Sequence, residues 1–329
     1  MNKIVLFDPY NGKFSQDVQN WWETHGYEVR RDTYYDPELV EWADIVWFET
    51  CDNNLLSATN PSQALRDEWL VDRRKTIPWD LHEYDLSKKK IIVRPIDIEV
   101  WQGHHAYDNM WDVVDDVIFL APHIQQIMME DSRPQSGTFK QHVIPCGVNL
   151  DRWTFKERSD GFKIGVVAEL WESKGVDLVL QIAMRLKQID ERYKIYWLGK
   201  NQMYHWGKAY FDDMIKSLDL PIVYESEYVE DLNNWWEDKN YVLHCSQKET
   251  YAYAVAEAMA KGIKPIFHCY YGADATWPEL TWNSIDEAID MITEEVYDSN
   301  SYRQYLIDHH LDLESMMQSI EGVINAPKA

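Results

Sequence analysis

The chain has 329 residues, 45% of them hydrophobic and 27% charged, the balance of a folded protein with a large core. Its 56 acids against 32 Lys and Arg give a formal net charge of −24, a surface that repels polyanions. Stable binding to nucleic acid or anionic lipid is therefore not expected. Cys51, Cys146, Cys245 and Cys269 lack Cys-x-x-Cys spacing, which argues against a zinc or disulfide framework and fits a reducing compartment. The apolar run after Lys3 ends at Asp8-Pro9, too short for a signal peptide. No stretch approaches the roughly 18 apolar residues of a membrane helix. A cytoplasmic location is the expectation.

Taken in chain order, short apolar runs alternate with helical patterns. Strands are expected at 4–7, 45–48, 91–94, 116–120 and 141–144, with helices at 15–25, 62–72 and 122–130. Pro145 and Gly147 then interrupt the pattern, and the cycle restarts. Its second round predicts strands at 162–168, 193–198, 222–225, 241–245 and 264–267. Helices are expected at 175–189, at 209–218 and in a segment ending at Lys261. Such alternation builds parallel sheets, so the fold class is α/β, with two consecutive doubly wound, Rossmann-like units.

The expected division is 1–149, 150–300 and a tail, 301–329. Leu306, Leu311, Met316, Met317 and Ile320 give the tail an amphipathic helical pattern, expected to pack back on the first unit. Ligands of such sheets bind beyond the carboxyl ends of the strands, so two facing units are expected to share a cleft. The 16 Trp and 20 Tyr read chiefly as core and rim, although sugar rings also stack on aromatic faces.

The most informative stretch follows the strand expected at 241–245. Glu249 and Glu257 stand eight positions apart, the first in a loop and the second on the next helix. The helix start between them offers backbone N–H groups, a seat for phosphate. Acids that grip hydroxyls beside a phosphate seat suit a nucleotide-sugar.

Three segments together resemble the retaining GT-B glycosyltransferases of the large group-1 family (family 4). Val143-Ile144-Pro145-Cys146-Gly147-Val148-Asn149 is similar to that family's inter-domain segment. Residues 164–177, ending Lys174-Gly175-Val176-Asp177, resemble its strand–loop–helix, and residues 249–265 carry its paired acids with the continuation Glu257-Ala258-Met259-Ala260. Gly12 and His25-Gly26-Tyr27-Glu28-Val29 extend the likeness faintly into the first half.

The resemblance implies an N-terminal domain on the acceptor side and a C-terminal domain that binds the nucleotide-sugar. By it, Glu257 holds the ribose hydroxyls and Glu249 faces the sugar hydroxyls. Amides near Tyr251, Ala252 and Tyr253 receive the diphosphate, and Lys174 supplies a cation to the leaving group. Gly12 lets the first loop approach the donor, and the base lies by Glu227-Tyr228-Val229-Glu230. The implied donor is a UDP-sugar in preference to a GDP-sugar, with no further cofactor and no metal.

The departures are specific. Glu169 stands where the family has an Arg, exchanging a cation of the diphosphate site for an anion. Either Glu169 turns away, or Lys200 or Lys248 compensates, or the donor site is altered. Thr250 and Ala252 replace two glycines of the family. A family histidine is replaced in Ile96-Asp97-Ile98-Glu99, leaving Asp97 or Glu99 to contact sugar or acceptor. His105, beside His104, is a further candidate for the donor sugar. Asp115-Asp116 and Asp212-Asp213 are the nearest approaches to a metal-binding pair, without Asp-x-Asp spacing. The expected activity is transfer of a hexose or pentose with retention. The acceptor is open among a glycan, a lipid carrier, a protein and a phage-type modified DNA base. The rivals are a non-catalytic nucleotide-sugar binder or degenerate partner subunit, and a sugar-nucleotide epimerase.

Overall fold

The computed structural model describes residues 2–10, 12–51, 55, 86–96, 100–101, 111–135, 137–227, 229–294 and 296–328. It divides into two compact units, Met1–Pro145 with Met316–Ala329, and Cys146–Ser315.

In the first unit β1 (Lys3–Phe7), β2 (Glu28–Asp32), β3 (Ile45–Phe48), β4 (Lys90–Val93), β5 (Asp116–Phe119) and β6 (Lys140–Val143) form one sheet, ordered β2-β1-β3-β4-β5-β6. Every pairing is parallel. β3, β4 and β5 are buried throughout, so they read as continuous apolar runs rather than as alternating patterns. β2 carries no such signal, because it is a half-exposed edge strand of sequence Glu28-Val29-Arg30-Arg31-Asp32. Helices α1 (Lys13–Thr24), α2 (Pro37–Trp42) and α3 (Pro122–Met129) belong to this unit. Asp36 caps α2 by accepting from the Glu38 amide, with Pro37 in the first turn. The helix expected at 62–72 lies outside the described residues.

In the second unit β7 (Lys163–Val167), β8 (Lys194–Leu198), β9 (Ile222–Glu225), β10 (Tyr241–His244), β11 (Lys264–His268) and β12 (Thr281–Trp282) are ordered β12-β11-β10-β7-β8-β9. These pairings too are all parallel. The chain builds outward from β7 to β9, then returns to the other side of β7 with β10. That reversal makes the gap between β7 and β10 the topological switch point of the sheet. α4 (Val176–Ile189), α5 (His205–Ser217), α6 (Tyr253–Ala260) and α7 (Ile285–Thr293) lie between the strands or just after the last. α4 buries Val176, Val179, Leu180, Ala183 and Leu186, one helical stripe against the sheet. Trp197 and Trp282 fill the same core, while Trp22, Trp47 and Trp111 are buried in the first unit. The described tryptophans are thus largely core, with Trp171 and Trp206 the exposed indoles among them, whereas Tyr10, Tyr34, Tyr204, Tyr210, Tyr253 and Tyr271 are exposed.

The tail is two helices rather than one: α8 (Ser299–Asp308) and α9 (Leu313–Asn325). His310 takes φ +56 between them, a left-handed turn that no helix continues through. Within the first unit Lys90 Nζ, on β4, donates to the carbonyls of Val323, Ile324 and Ala326 at the end of α9. It also stands 3.4 Å from Asp116, which meets His142 Nε2 at 2.7 Å. Asp115 accepts from the Ile91 amide at 2.8 Å. The acids considered as a metal pair are therefore committed to the sheet's own pairing. Asp212 and Asp213 are likewise engaged along α5, with Lys208 and Ser217.

Lys90 is buried, so removing its ammonium takes the cation from Asp116, which keeps His142, and a donor from the carbonyls of Val323, Ile324 and Ala326. Lys90→Ala is expected to lower unfolding free energy by about 3–5 kcal/mol in a urea titration.

Candidate functional site

In a parallel sheet the loops leaving the carboxyl ends of the strands all open on one edge. In the second unit these are residues 168–175 after β7, 199–204 after β8, 226–231 after β9 and 245–252 after β10. The first and last flank the switch point.

The loop after β7 closes in a 3-10 turn, Glu172–Lys174, in which the Lys174 amide donates to Trp171 O at 2.9 Å. Gly175 then turns the chain into α4 at φ +70. A Cβ at Gly175 would come within 2.0 Å of the Cys245 carbonyl oxygen, so the loop lies directly on the end of β10. The Gln247 amide donates to Ser173 O at 2.9 Å and ties the two loops together. This packing delivers Lys174 to Glu249, with Nζ 2.5 Å from Oε1.

His244, the last residue of β10, places Nε2 3.5 Å from the same oxygen. Burial is the largest single influence on Glu249 and opposes its ionisation. His244 and Lys174 together outweigh it and hold the carboxyl down at about 2.

The loop after β10 enters α6 through Ala252, whose φ of +60 and ψ of 61 lie in the left-handed region. This is one of the two positions where the resembling family carries glycine, and the backbone gives the reason. At the start of α6 the Val255 amide donates to Ala252 O at 3.0 Å and the Ala256 amide to the same oxygen at 3.4 Å, and the helix begins on the same edge as Lys174. Tyr251 anchors the turn: its hydroxyl donates to Leu311 O at 2.7 Å, and its ring packs 5.4 Å from Trp277. Burial pushes the Tyr251 phenol up, and Cys146, Asp312 and Glu257 add to the effect. Glu257 is half-buried on α6. The strip that receives Tyr251 is itself held by the segment around Gly147. Val148 N donates to Leu311 O and Leu313 N to Val148 O, both at 2.9 Å. A Cβ at Gly147 would stand 2.3 Å from Asp312 O.

No protein-family model and no curated protein matches the sequence. Solved structures do. The sucrose-phosphate synthase of Thermosynechococcus elongatus superposes with a TM-score of 0.68 at 13% identity, over 98% of each chain. HepE of Anabaena, solved with UDP and glucose, gives 0.67 at 14% identity, over 98% of this chain and 99% of that one. A glycosyltransferase of Rickettsia africae gives 0.65 at 13%, over 98% and 97%. The chain has the GT-B fold.

On that fold the second unit's edge collects Lys174, Glu249, Tyr251, Ala252 and Tyr253, with Glu257 on the helix they lead into. Val229 is half-buried in the loop after β9, on the same edge. Glu169 is exposed and accepts from Gln202 Nε2 at 3.1 Å, and it pairs with no cation among the described residues. Tyr228, Asp97, Glu99 and His105 lie outside the described residues.

Gly12, in the first unit, has an extended backbone, and its amide donates to Asp8 Oδ2 at 2.7 Å. A Cβ there would meet only that oxygen, at 3.9 Å, so the unit's own packing does not demand a glycine. Among the described residues no group of three or more His, Cys, Asp and Glu is placed to hold a metal ion. No described helix is long and apolar enough to cross a membrane. His244 escaped the sequence reading; its one signal is a histidine closing the apolar run of β10.

Gly175→Ala adds the Cys245 clash to a backbone penalty of about 1–2 kcal/mol and should melt well below wild type. Gly12→Ala, with open space, should stay within about 0.5 kcal/mol in the same experiment. For Glu249, a depressed carboxyl stabilises the fold above its ordinary value of 4.5 and loses that contribution as pH falls toward 2. Glu249→Gln should therefore be less stable than wild type at neutral pH, with the gap closing from about 4.5 downward in pH-dependent unfolding.

Proposed function

We propose that the protein is a retaining glycosyltransferase that takes its sugar from a nucleotide-diphospho-sugar, UDP-linked in preference to GDP-linked. The observation that carries the proposal is the meeting of Lys174 and Glu249 at the switch point, beside the start of α6. A cation, a row of helix-start amides and an acid are what a leaving diphosphate and a sugar hydroxyl require. Glu257 then meets the ribose, the amides about Tyr251, Ala252 and Tyr253 meet the diphosphate, and Val229 lies by the base. HepE, a protein of the same fold, is solved with UDP-glucose, which favours uridine.

Lys174 and the α6 amides stabilise the charge that develops as the sugar–phosphate bond breaks, and Glu249 orients the sugar. The leaving phosphate itself assists deprotonation of the acceptor, so no dedicated base is called for. The acceptor is a glycan, a lipid carrier, a protein or a modified DNA base.

The exposed Glu169, at a position where the resembling family has Arg, favours a second reading, a nucleotide-sugar binder without turnover. A thermal-shift screen of nucleotides and sugar-nucleotides, followed by assay for free sugar, separates the two. UDP and a UDP-sugar should raise the melting temperature, by linkage about 2.7 kcal/mol at a hundred times Kd, and free sugar should appear slowly. Glu257→Ala should abolish the shift. Binding that survives Glu257→Ala would refute the ribose assignment, and binding without turnover across an acceptor panel would support the second reading.

A further inference from the structure

His244 ends β10 with a side chain only 8% exposed, and neither ring nitrogen has a hydrogen-bond partner among the described residues. A buried polar group left unpaired carries a desolvation cost that the fold alone does not offset. The Phe267 ring lies 4.7 Å from the imidazole and the Tyr270 ring 6.3 Å away. The neighbouring His268 is engaged elsewhere, its Nδ1 3.2 Å from Ser246 O. Among the described residues the charged group at close range to the imidazole is Glu249, with Oε1 3.5 Å from Nε2. Lys174 Nζ holds that same oxygen at 2.5 Å.

One carboxylate oxygen therefore stands between two nitrogens, one at bonding distance and one just beyond it. We infer that His244 is a positioning residue for Glu249, taking over its carboxylate when a diphosphate claims Lys174. The inference rests on the nucleotide-sugar reading above. Phosphate oxygens carry more charge than a single carboxylate, so an arriving diphosphate draws the Lys174 ammonium toward itself. Glu249 then loses part of its cation. A movement of about 0.5 Å brings Oε1 into hydrogen-bond range of Nε2. His244 is fixed by its strand and by the rings packed on it, so the carboxylate it receives has a defined direction. That direction is what a sugar hydroxyl needs in order to be gripped at the moment Lys174 is busy with the phosphate.

Donor recognition is divided accordingly. UDP engages Lys174, the α6 amides and Glu257, and does not use the aim of Glu249. A UDP-sugar uses all of them. Loss of His244 should therefore weaken the sugar-nucleotide and spare the nucleotide.

The test is isothermal titration of the full chain with UDP and with UDP-glucose, for wild type, His244→Leu and His244→Gln, with the melting temperature of each recorded. His244→Leu should bind UDP within about threefold of wild type and UDP-glucose at least tenfold more weakly. His244→Gln, whose amide reaches the position of Nε2, should recover most of the loss. If His244→Leu does not fold, His244→Asn takes its place, since its shorter amide cannot reach Oε1. An unchanged ratio of the two affinities, or an equal loss for both ligands, overturns the role of His244 and leaves the nucleotide-sugar reading standing. A wild-type protein that binds neither ligand overturns that reading and the role of His244 with it.

Discussion

The seating of Gly175 on the carbonyl of Cys245 is the contact on which the site depends. The two residues belong to loops that leave β7 and β10, strands far apart in the chain and adjacent in the sheet. A side chain at Gly175 would hold those loops apart, and the Ser173–Gln247 bond that joins them could not form at its present length. With the loops in contact, Lys174 and Glu249 meet without further machinery. The sheet order thus acts on the chemistry through one van der Waals contact and one backbone hydrogen bond.

The charge arrangement has its own logic in a chain with a net charge of −24. A partly buried carboxylate in such a field would tend to protonate, yet Glu249 is held ionised by His244 and Lys174. The same cation is what a diphosphate would seek, so on the proposed function the acid and the ligand would compete for one ammonium. Glu169 adds no second claim on Lys174, because it is turned outward to Gln202. Tyr251 contributes differently. Its hydroxyl fixes the turn into α6 to the backbone at Leu311, and the segment around Gly147 holds that backbone in place. The two motif segments are therefore mechanically linked within one unit.

Much of this was legible in the sequence, for identifiable reasons. β3, β4, β5 and β10 are buried on both faces and read as short apolar runs. The placement of Lys174 and Glu249 in loops and of Glu257 on a helix was legible through the residues beside them, since glycine at 175 and small residues through α6 restrict what the backbone there can do. What escaped has equally physical causes. β2 is an edge strand whose charged residues hide its pairing. α7 was overlooked although Ser284 and Glu287 form a capping box at its start, the Asn283 amide reaching Glu287 at 2.7 Å. The break at His310 depends on a left-handed residue of a type that gives little warning. His244 looked like strand, and only three-dimensional packing sets it against Glu249. Asp115 and Asp116, the nearest approach to a metal-binding pair, have partners on neighbouring strands: Asp116 meets Lys90 and His142, and Asp115 the Ile91 amide.

A crystal structure of the protein with UDP would test the central claim most directly. The account predicts diphosphate oxygens within hydrogen-bond distance of Lys174 Nζ and of the amides that begin α6, with Glu257 on the ribose. A nucleotide seated elsewhere, with Lys174 and Glu249 still paired as they are now, would contradict it.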